Sequence, residues 1–90
     1  MQISEAEWIV MNLIWQLQPI DASGVIEQLA DDNDWSAATV KTMLHRLVKK
    51  RALSHEQVGK KFIYRASVRR SECVRKASRS FLKRVFDGQA

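Results

Sequence analysis

The spacing of the apolar residues changes character after Lys50-Arg51 in this 90-residue chain. Before that point apolar residues recur every three or four positions, as on the buried side of an α-helix. Residues 53–58 and 62–66 are two short β-compatible runs joined by 59-GKK-61, and Gly59 supplies the backbone freedom of a tight hairpin turn. From about Val68 the helical spacing returns. The pattern predicts helices, then one hairpin, then a C-terminal helix.

Capping residues mark the first two predicted helices. Ser4 and Glu7 fit a capping box that begins a first helix over residues 5–17, and Pro19 prevents this helix from continuing. Asp21 can cap a second helix. Its apolar residues recur with helical spacing at Ala22, Val25, Ile26 and Leu29.

The third predicted helix follows a cap at Ser36, and one side of it is apolar. That buried stripe consists of Val40, Met43, Leu44, Leu47 and Val48. The order helix, helix, helix, hairpin, helix is that of a winged helix-turn-helix, a mainly α fold with a two-stranded wing. Residues 1–66 are predicted to form the winged-helix DNA-binding domain. Residues 67–90 are predicted to form the C-terminal helix and the start of a dimerisation segment.

The charges are divided between the two halves of the chain. Residues 1–40 contain seven acids and no Lys or Arg, whereas residues 41–90 contain all fifteen Lys and Arg and three acids. The halves therefore carry −7 and +12, since fifteen minus three is twelve. Such asymmetry indicates a polyanionic partner for one side of the molecule, although an ordinary solvated surface is the alternative.

The third helix has a second face that is not needed for the core. At about 100° per residue, this face lies opposite the apolar stripe. It suits the major groove, which admits one α-helix, and the start of such a helix reads base edges. We expect base contacts from Ala38, Thr39, Lys41 and Thr42. We expect contacts with the DNA backbone from Ser36, His45, Arg46, Lys49, Arg51, Lys60 and Lys61.

Aromatic and apolar residues elsewhere are assigned to packing. Trp8 and Trp15 are expected in the core, and so are Phe62 and Tyr64, which share one strand face. The C-terminal helix has an apolar stripe that could pack on its own domain or against the same helix of a second subunit. The second interpretation is favoured because a domain this short needs more buried surface. The predicted dimerisation residues are Val74, Ala77, Phe81 and Val85.

Four segments also carry a family resemblance: 3-ISEAEWIVMNLIW-15, 35-WSAATVKTMLHRLVKKRAL-53, 59-GKKFIY-64 and 78-SRSFLKRVFDG-88. In order and spacing they resemble the penicillinase-repressor and copper-transport-repressor family of bacterial winged-helix transcription factors. The resemblance implies a homodimer that binds a dyad operator in double-stranded DNA and blocks transcription. It also implies that 39-TVKT-42 reads the major groove while the wing contacts the flanking backbone.

The chain departs from that family pattern in three places. Arg51 stands where family members commonly have a Gly that caps the third helix, so Arg51 either adopts a costly conformation or ends the helix differently. Family members extend further than Ala90, which implies a dimer built on the last helix or weakened. The copper-responsive branch carries a C-terminal cysteine cluster, and Cys73 alone leaves metal sensing by such a cluster without ligands. An unidentified inducer or accessory protein is therefore expected.

No constellation in the sequence indicates an enzyme, a metal site or a cofactor. His45 and His55 are the only histidines, and no catalytic or phosphate-binding motif is present. Cys73 lies among basic residues that favour a thiolate, but an inert, partly buried thiol is the preferred interpretation. A single cysteine and an acidic N-terminus favour the cytoplasm, with no membrane partner. The rival function is a protein-interaction module whose basic face binds an acidic protein.

Overall fold

The structure is a computed structural model that describes residues 3–77 and 79–87. Five helices and three strands follow one another in these ranges. They are α1 (Glu5–Leu17), β1 (Ile20–Asp21), α2 (Ala22–Asn33), α3 (Ala37–Lys49), β2 (Leu53–Val58), β3 (Lys61–Ala66), α4 (Arg70–Lys76) and α5 (Arg79–Asp87). The predicted fold class, a winged helix-turn-helix, is confirmed.

Each of the first three helices begins at the predicted cap. At α1 the Ser4 hydroxyl accepts from the Glu7 N–H at 3.1 Å, and the Glu7 carboxylate accepts from the Ser4 N–H at 2.9 Å. At α2 the Asp21 carboxylate accepts from the Gly24 N–H at 2.8 Å. At α3 the Ser36 hydroxyl accepts from the Thr39 N–H at 3.1 Å. Local hydrogen bonding therefore sets where these helices start.

The strands form one antiparallel sheet in the order β1-β3-β2. In the hairpin Val58 pairs with Lys61, which leaves Gly59 and Lys60 as the turn, and Gly59 takes a φ of 64°. Lys61 is thus the first residue of β3 rather than part of the turn. The edge strand β1 was not predicted, because two residues carry no periodic signal. It exists through its pairing with Ile63 and Tyr64 of β3.

The core lies between α1, α2, α3 and the base of the hairpin. The predicted stripe of α3 is buried at Val40, Met43, Leu44 and Leu47, with Val48 half-buried against the same core. Further core residues are Val10, Met11, Ile14, Val25, Leu29, Ala52 and Leu53.

The assignment of Phe62 to the core is wrong, because its side chain is 43% exposed. Phe62 lies beside the turn of the hairpin, one side-chain repeat further out than Tyr64, which does pack against the core. The Phe62 and His55 rings meet in a T-shaped contact, with centroids 5.4 Å apart. Alternation identified the correct strand face, but the core ends before the hairpin does.

The prediction of one continuous C-terminal helix is also wrong. Ala77 is extended, with φ −77° and ψ 151°, and it separates α4 from α5. The break has a tertiary cause: α5 packs on α1, where the rings of Phe81 and Trp8 meet in a T-shaped contact with centroids 5.8 Å apart. An ion pair between Arg84 and Glu5 joins the same two helices. Helical spacing encodes none of these contacts.

The predicted dimerisation stripe is therefore divided. Val74 and Ala77 are half-buried in and after α4, whereas Phe81 packs on its own chain through Trp8. The side chain of Val85 lies outside the described residues. Two hydrogen bonds also join this segment to α1: the Trp15 indole donates to the Val68 carbonyl at 3.0 Å, and Arg70 donates to Asn12 at 3.2 Å.

Candidate nucleic-acid interface

A three-residue turn joins α2 to α3 and orients the third helix. Asp34 closes α2 in the left-handed conformation, with a φ of 55°. The Trp35 N–H donates to the Ala30 carbonyl at 3.1 Å, and its side chain packs against the core. Ser36 then caps α3. Because the apolar side of α3 faces the core, its other side is presented to solvent.

The second face of α3 is exposed as predicted. The exposed side chains are those of Ala38, Thr39, Lys41, Thr42, His45, Arg46 and Lys49. The helix contains three cations and no acidic residue between Ala37 and Lys49. A wholly exposed helix face with this charge suits the negative potential of a nucleic-acid groove.

The hydroxyl groups on this face already take part in local hydrogen bonds. Thr42 Oγ1 donates to the Ala38 carbonyl at 2.9 Å, so its proton is used within the helix. Thr42 can therefore offer a methyl group and an acceptor oxygen to a base edge. The Ser36 and Thr39 hydroxyls lie 3.0 Å apart and share a hydrogen bond. Ser36, predicted as a backbone contact, thus serves first as the helix cap.

The end of α3 resolves the two alternatives left open for Arg51. Arg51 adopts the left-handed conformation, with a φ of 65°. Its N–H donates to the Val48 carbonyl at 3.0 Å, and the Ala52 N–H donates to the Leu47 carbonyl at 2.9 Å. These two bonds form the helix ending that usually has glycine at this position. Arg51 is therefore an exposed residue in a backbone conformation that is unfavourable for any residue with a side chain.

Lys50, the residue before Arg51, is held by an ion pair with Glu7 that the sequence did not indicate. The Lys50 ammonium donates to both carboxylate oxygens of Glu7, at 2.7 and 3.0 Å. Glu7 is 3% exposed. Burial alone would raise the pKa of this carboxyl, but the hydrogen bonds from Lys50 and Ser4 and the positive charge of Lys50 together hold the pKa below its ordinary value. Glu7 is the third residue of a capped apolar helix, and nothing in that local pattern indicates Lys50, 43 residues away, as its partner.

The wing presents its cations at and beside the turn. Lys60 occupies the tip and is exposed. Lys61 is exposed as well, and its ammonium lies 3.6 Å from Asp21. Arg65 is exposed on the same face of β3 as Lys61, a position that side-chain alternation could have indicated but that was not assigned. The wing therefore offers cations along one strand face as well as at its tip.

Cys73 does not have the environment of a reactive thiol. It is a half-buried free cysteine in α4. Burial and the neighbouring Glu72 carboxylate raise the pKa of the thiol, and the opposing effect of Lys76 is smaller. This direction supports the interpretation of Cys73 as an inert thiol, because nucleophilic and redox-sensing cysteines have lowered pKa values.

An exposed, cationic α3 held by a helix-turn-helix, with a basic hairpin beside it, defines the winged helix-turn-helix class of DNA-binding domain. The penicillinase repressor family model matches residues 3–90 of this chain. The chain belongs to the penicillinase repressor family, as its sequence motifs suggested.

Individual relatives agree with this assignment. The penicillinase repressor of Bacillus licheniformis is 41% identical over 87 residues, which cover 97% of this chain and 68% of the relative. The solution structure of the DNA-binding domain of the repressor BlaI has a TM-score of 0.74 at 42% identity, covering 79% of this chain and 87% of that one. The structure of monomeric Bacillus licheniformis BlaI with the blaP half-operator has a TM-score of 0.71 at 42% identity, covering 80% and 88%.

The described ranges contain neither a membrane-spanning helix nor a metal-binding cluster. None of the helices there combines the length and the apolar character that are needed to cross a membrane. Among the same residues, no three His, Cys, Asp or Glu side chains are grouped closely enough to hold a metal ion.

Proposed function

We propose that this chain is a sequence-specific transcriptional repressor, without catalytic activity, that binds a dyad operator as a homodimer in the cytoplasm. The observation that carries the proposal is the exposed face of α3, which combines small side chains, threonines and cations and contains no acid. The solved complex of a 42% identical repressor with a half-operator supports this use of the fold. Repression would be steric, with the dimer occupying promoter DNA.

The proposed DNA contacts divide into reading and anchoring groups. The start of α3 would read base edges through Ala38, Thr39, Lys41 and Thr42. Phosphates would be contacted by the N-cap of α3, by residues later in this helix and just after it, and by the wing, namely Ser36, His45, Arg46, Lys49, Arg51, Lys60 and Lys61. Base contacts give sequence choice, and phosphate contacts give most of the affinity and its salt dependence.

The proposed homodimer places two α3 helices about 34 Å apart, one turn of DNA. Val74 in α4 and Ala77 just after it remain candidates for the contact between subunits, because they are only half-buried in this chain. Phe81 contributes less than expected, since its ring packs on Trp8 of the same chain. We retain residues 1–66 as the DNA-binding domain and residues 67–90 as the start of the dimerisation segment.

Substitutions in the two groups test the division between reading and anchoring. On duplexes selected from a random pool, Thr42→Ala or Lys41→Ala should lower affinity for the selected sequence and leave affinity for a scrambled duplex nearly unchanged. Lys60→Ala should weaken binding to both duplexes and reduce the slope of log affinity against log salt by about 1. If α3 and wing variants gave the same pattern on both duplexes, the division would be wrong. Binding to acidic proteins in preference to any DNA would favour the interaction-module alternative.

A further inference from the structure

The two elements proposed to contact DNA are joined by only three residues. Lys50, Arg51 and Ala52 connect the end of α3 to the start of β2. The six residues of β2 span about 20 Å, so a rotation of about 5° at this joint moves the wing tip by about 1.7 Å. A hydrogen bond from the wing to a phosphate tolerates only a few tenths of an ångström. Binding through both elements therefore requires that the angle between them be held.

Besides the packing of the hairpin base on the core, two sets of contacts are made by residues of the joint itself. On the core side Ala52 is fully buried, its N–H donates to Leu47, and its carbonyl accepts from the Ser67 N–H at 2.9 Å. On the other side the Lys50 ammonium donates to both carboxylate oxygens of Glu7. Glu7 belongs to the first turn of α1, so the second set ties the joint to a different part of the chain.

Of the two charged partners, Glu7 is the fixed one. Its carboxylate also accepts from the Ser4 N–H at 2.9 Å, which sets its place in the α1 cap independently of Lys50. The Glu7 side chain is 4% exposed, whereas that of Lys50 is 36% exposed. A long, partly solvated lysine side chain is held in one geometry only where a fixed acceptor holds it.

We propose that Glu7 is a positioning residue for DNA recognition: its buried carboxylate holds Lys50 and thereby fixes the angle between α3 and the wing. This inference rests on the proposed function. It assigns to α1, which presents no residue to DNA in the proposed interface, a part in sequence discrimination. Loss of the charge pair leaves the basic surface in place but lets the reading helix and the wing move relative to each other.

The test is Glu7→Gln, with Glu5→Gln as the matched control. Glutamine keeps the size of the side chain and an oxygen that accepts from the Ser4 N–H, but it loses the charge that holds Lys50. Glu5→Gln makes the same charge change on the same turn at an exposed residue that pairs with Arg84. Each variant is titrated with a duplex selected by the unaltered protein and with a scrambled duplex of equal composition, at a temperature where circular dichroism shows complete folding.

For Glu7→Gln we expect the ratio of the two affinities to fall about tenfold, while affinity for the scrambled duplex stays within about twofold. Glu5→Gln should keep the original ratio. A lower melting temperature with an unchanged ratio for Glu7→Gln would show a structural role only and would overturn the inference. If Glu7→Gln does not fold, the double variant Glu7→Gln/Lys50→Gln is titrated with the same two duplexes. The same fall in the ratio of affinities is then expected, and an unchanged ratio would overturn the inference. Absence of sequence preference in the unaltered protein would instead refute the proposed function.

Discussion

Arg51 is the residue at which stability and DNA binding are expected to oppose each other. Its φ of 65° lies in the left-handed region, which costs a residue with a side chain about 1–2 kcal/mol. Glycine avoids that cost but loses more backbone freedom on folding, about 0.5–1 kcal/mol. The substitution Arg51→Gly should therefore stabilise the fold by about 0.75 kcal/mol, the difference between the midpoints of these two ranges. For a domain of this size, that gain raises the melting temperature by about 3–6 °C.

The same substitution should weaken binding to DNA. Arg51 is exposed at the end of α3 and is proposed to contact a phosphate. Removal of one phosphate contact lowers the slope of log affinity against log salt by about 0.9. Thermal unfolding followed by circular dichroism measures the first effect, and titration of DNA at several salt concentrations measures the second.

Asp34→Gly is the control, because Asp34 is the other described residue with a side chain and a positive φ, at 55°. Aspartate tolerates this conformation better than arginine does, so the gain in melting temperature should be smaller. No phosphate contact is removed, and the salt slope should not fall. A lower melting temperature for Arg51→Gly would refute the account of backbone strain. An unchanged salt slope would refute the phosphate contact.

Two further predictions concern titrating groups. The pKa of Glu7 is held below its ordinary 4.5, so the unfolded chain binds a proton there at a higher pH than the folded chain does. The stability that Glu7 contributes is therefore complete above about pH 4.5 and is lost as the pH falls through the lower folded value. Urea unfolding from pH 7 to pH 3 should show a steeper loss for the unaltered protein than for Glu7→Gln, and parallel curves would contradict this. The pKa of the Cys73 thiol is raised above its ordinary 9.0, so the rate at which Cys73 is alkylated should rise with pH with a midpoint above that value. Rapid alkylation of Cys73 at neutral pH would contradict the interpretation of this residue as an inert thiol.

Much of the fold follows from local signals in the sequence. The caps Ser4, Asp21 and Ser36 mark the starts of the first three helices, and each is confirmed by a hydrogen bond in the structure. The face of α3 opposite its apolar stripe is exposed, because an amphipathic helix buries its apolar side and leaves its polar side in solvent. Gly59 marks the hairpin turn for a similarly local reason, its positive φ.

The features that could not be predicted depend on contacts between distant residues. The strand β1 exists only through its pairing with β3. The break at Ala77 follows from the packing of α5 on α1, where Phe81 contacts Trp8, and neither proline nor glycine marks it in the sequence. The bond between Glu7 and Lys50 joins residues whose local roles, in a cap and at a helix end, looked complete without each other.

Selection of bound duplexes from a random DNA pool, with affinity then followed against salt, tests the central claim most directly. The account predicts a two-fold symmetric motif with half-sites about one helical turn apart, as two α3 helices of a dimer require. It also predicts that log affinity falls steeply with log salt, because several phosphate contacts release counterions. Enrichment of no sequence, with weak salt-sensitive binding to every duplex, would contradict the assignment of α3 as a reading helix.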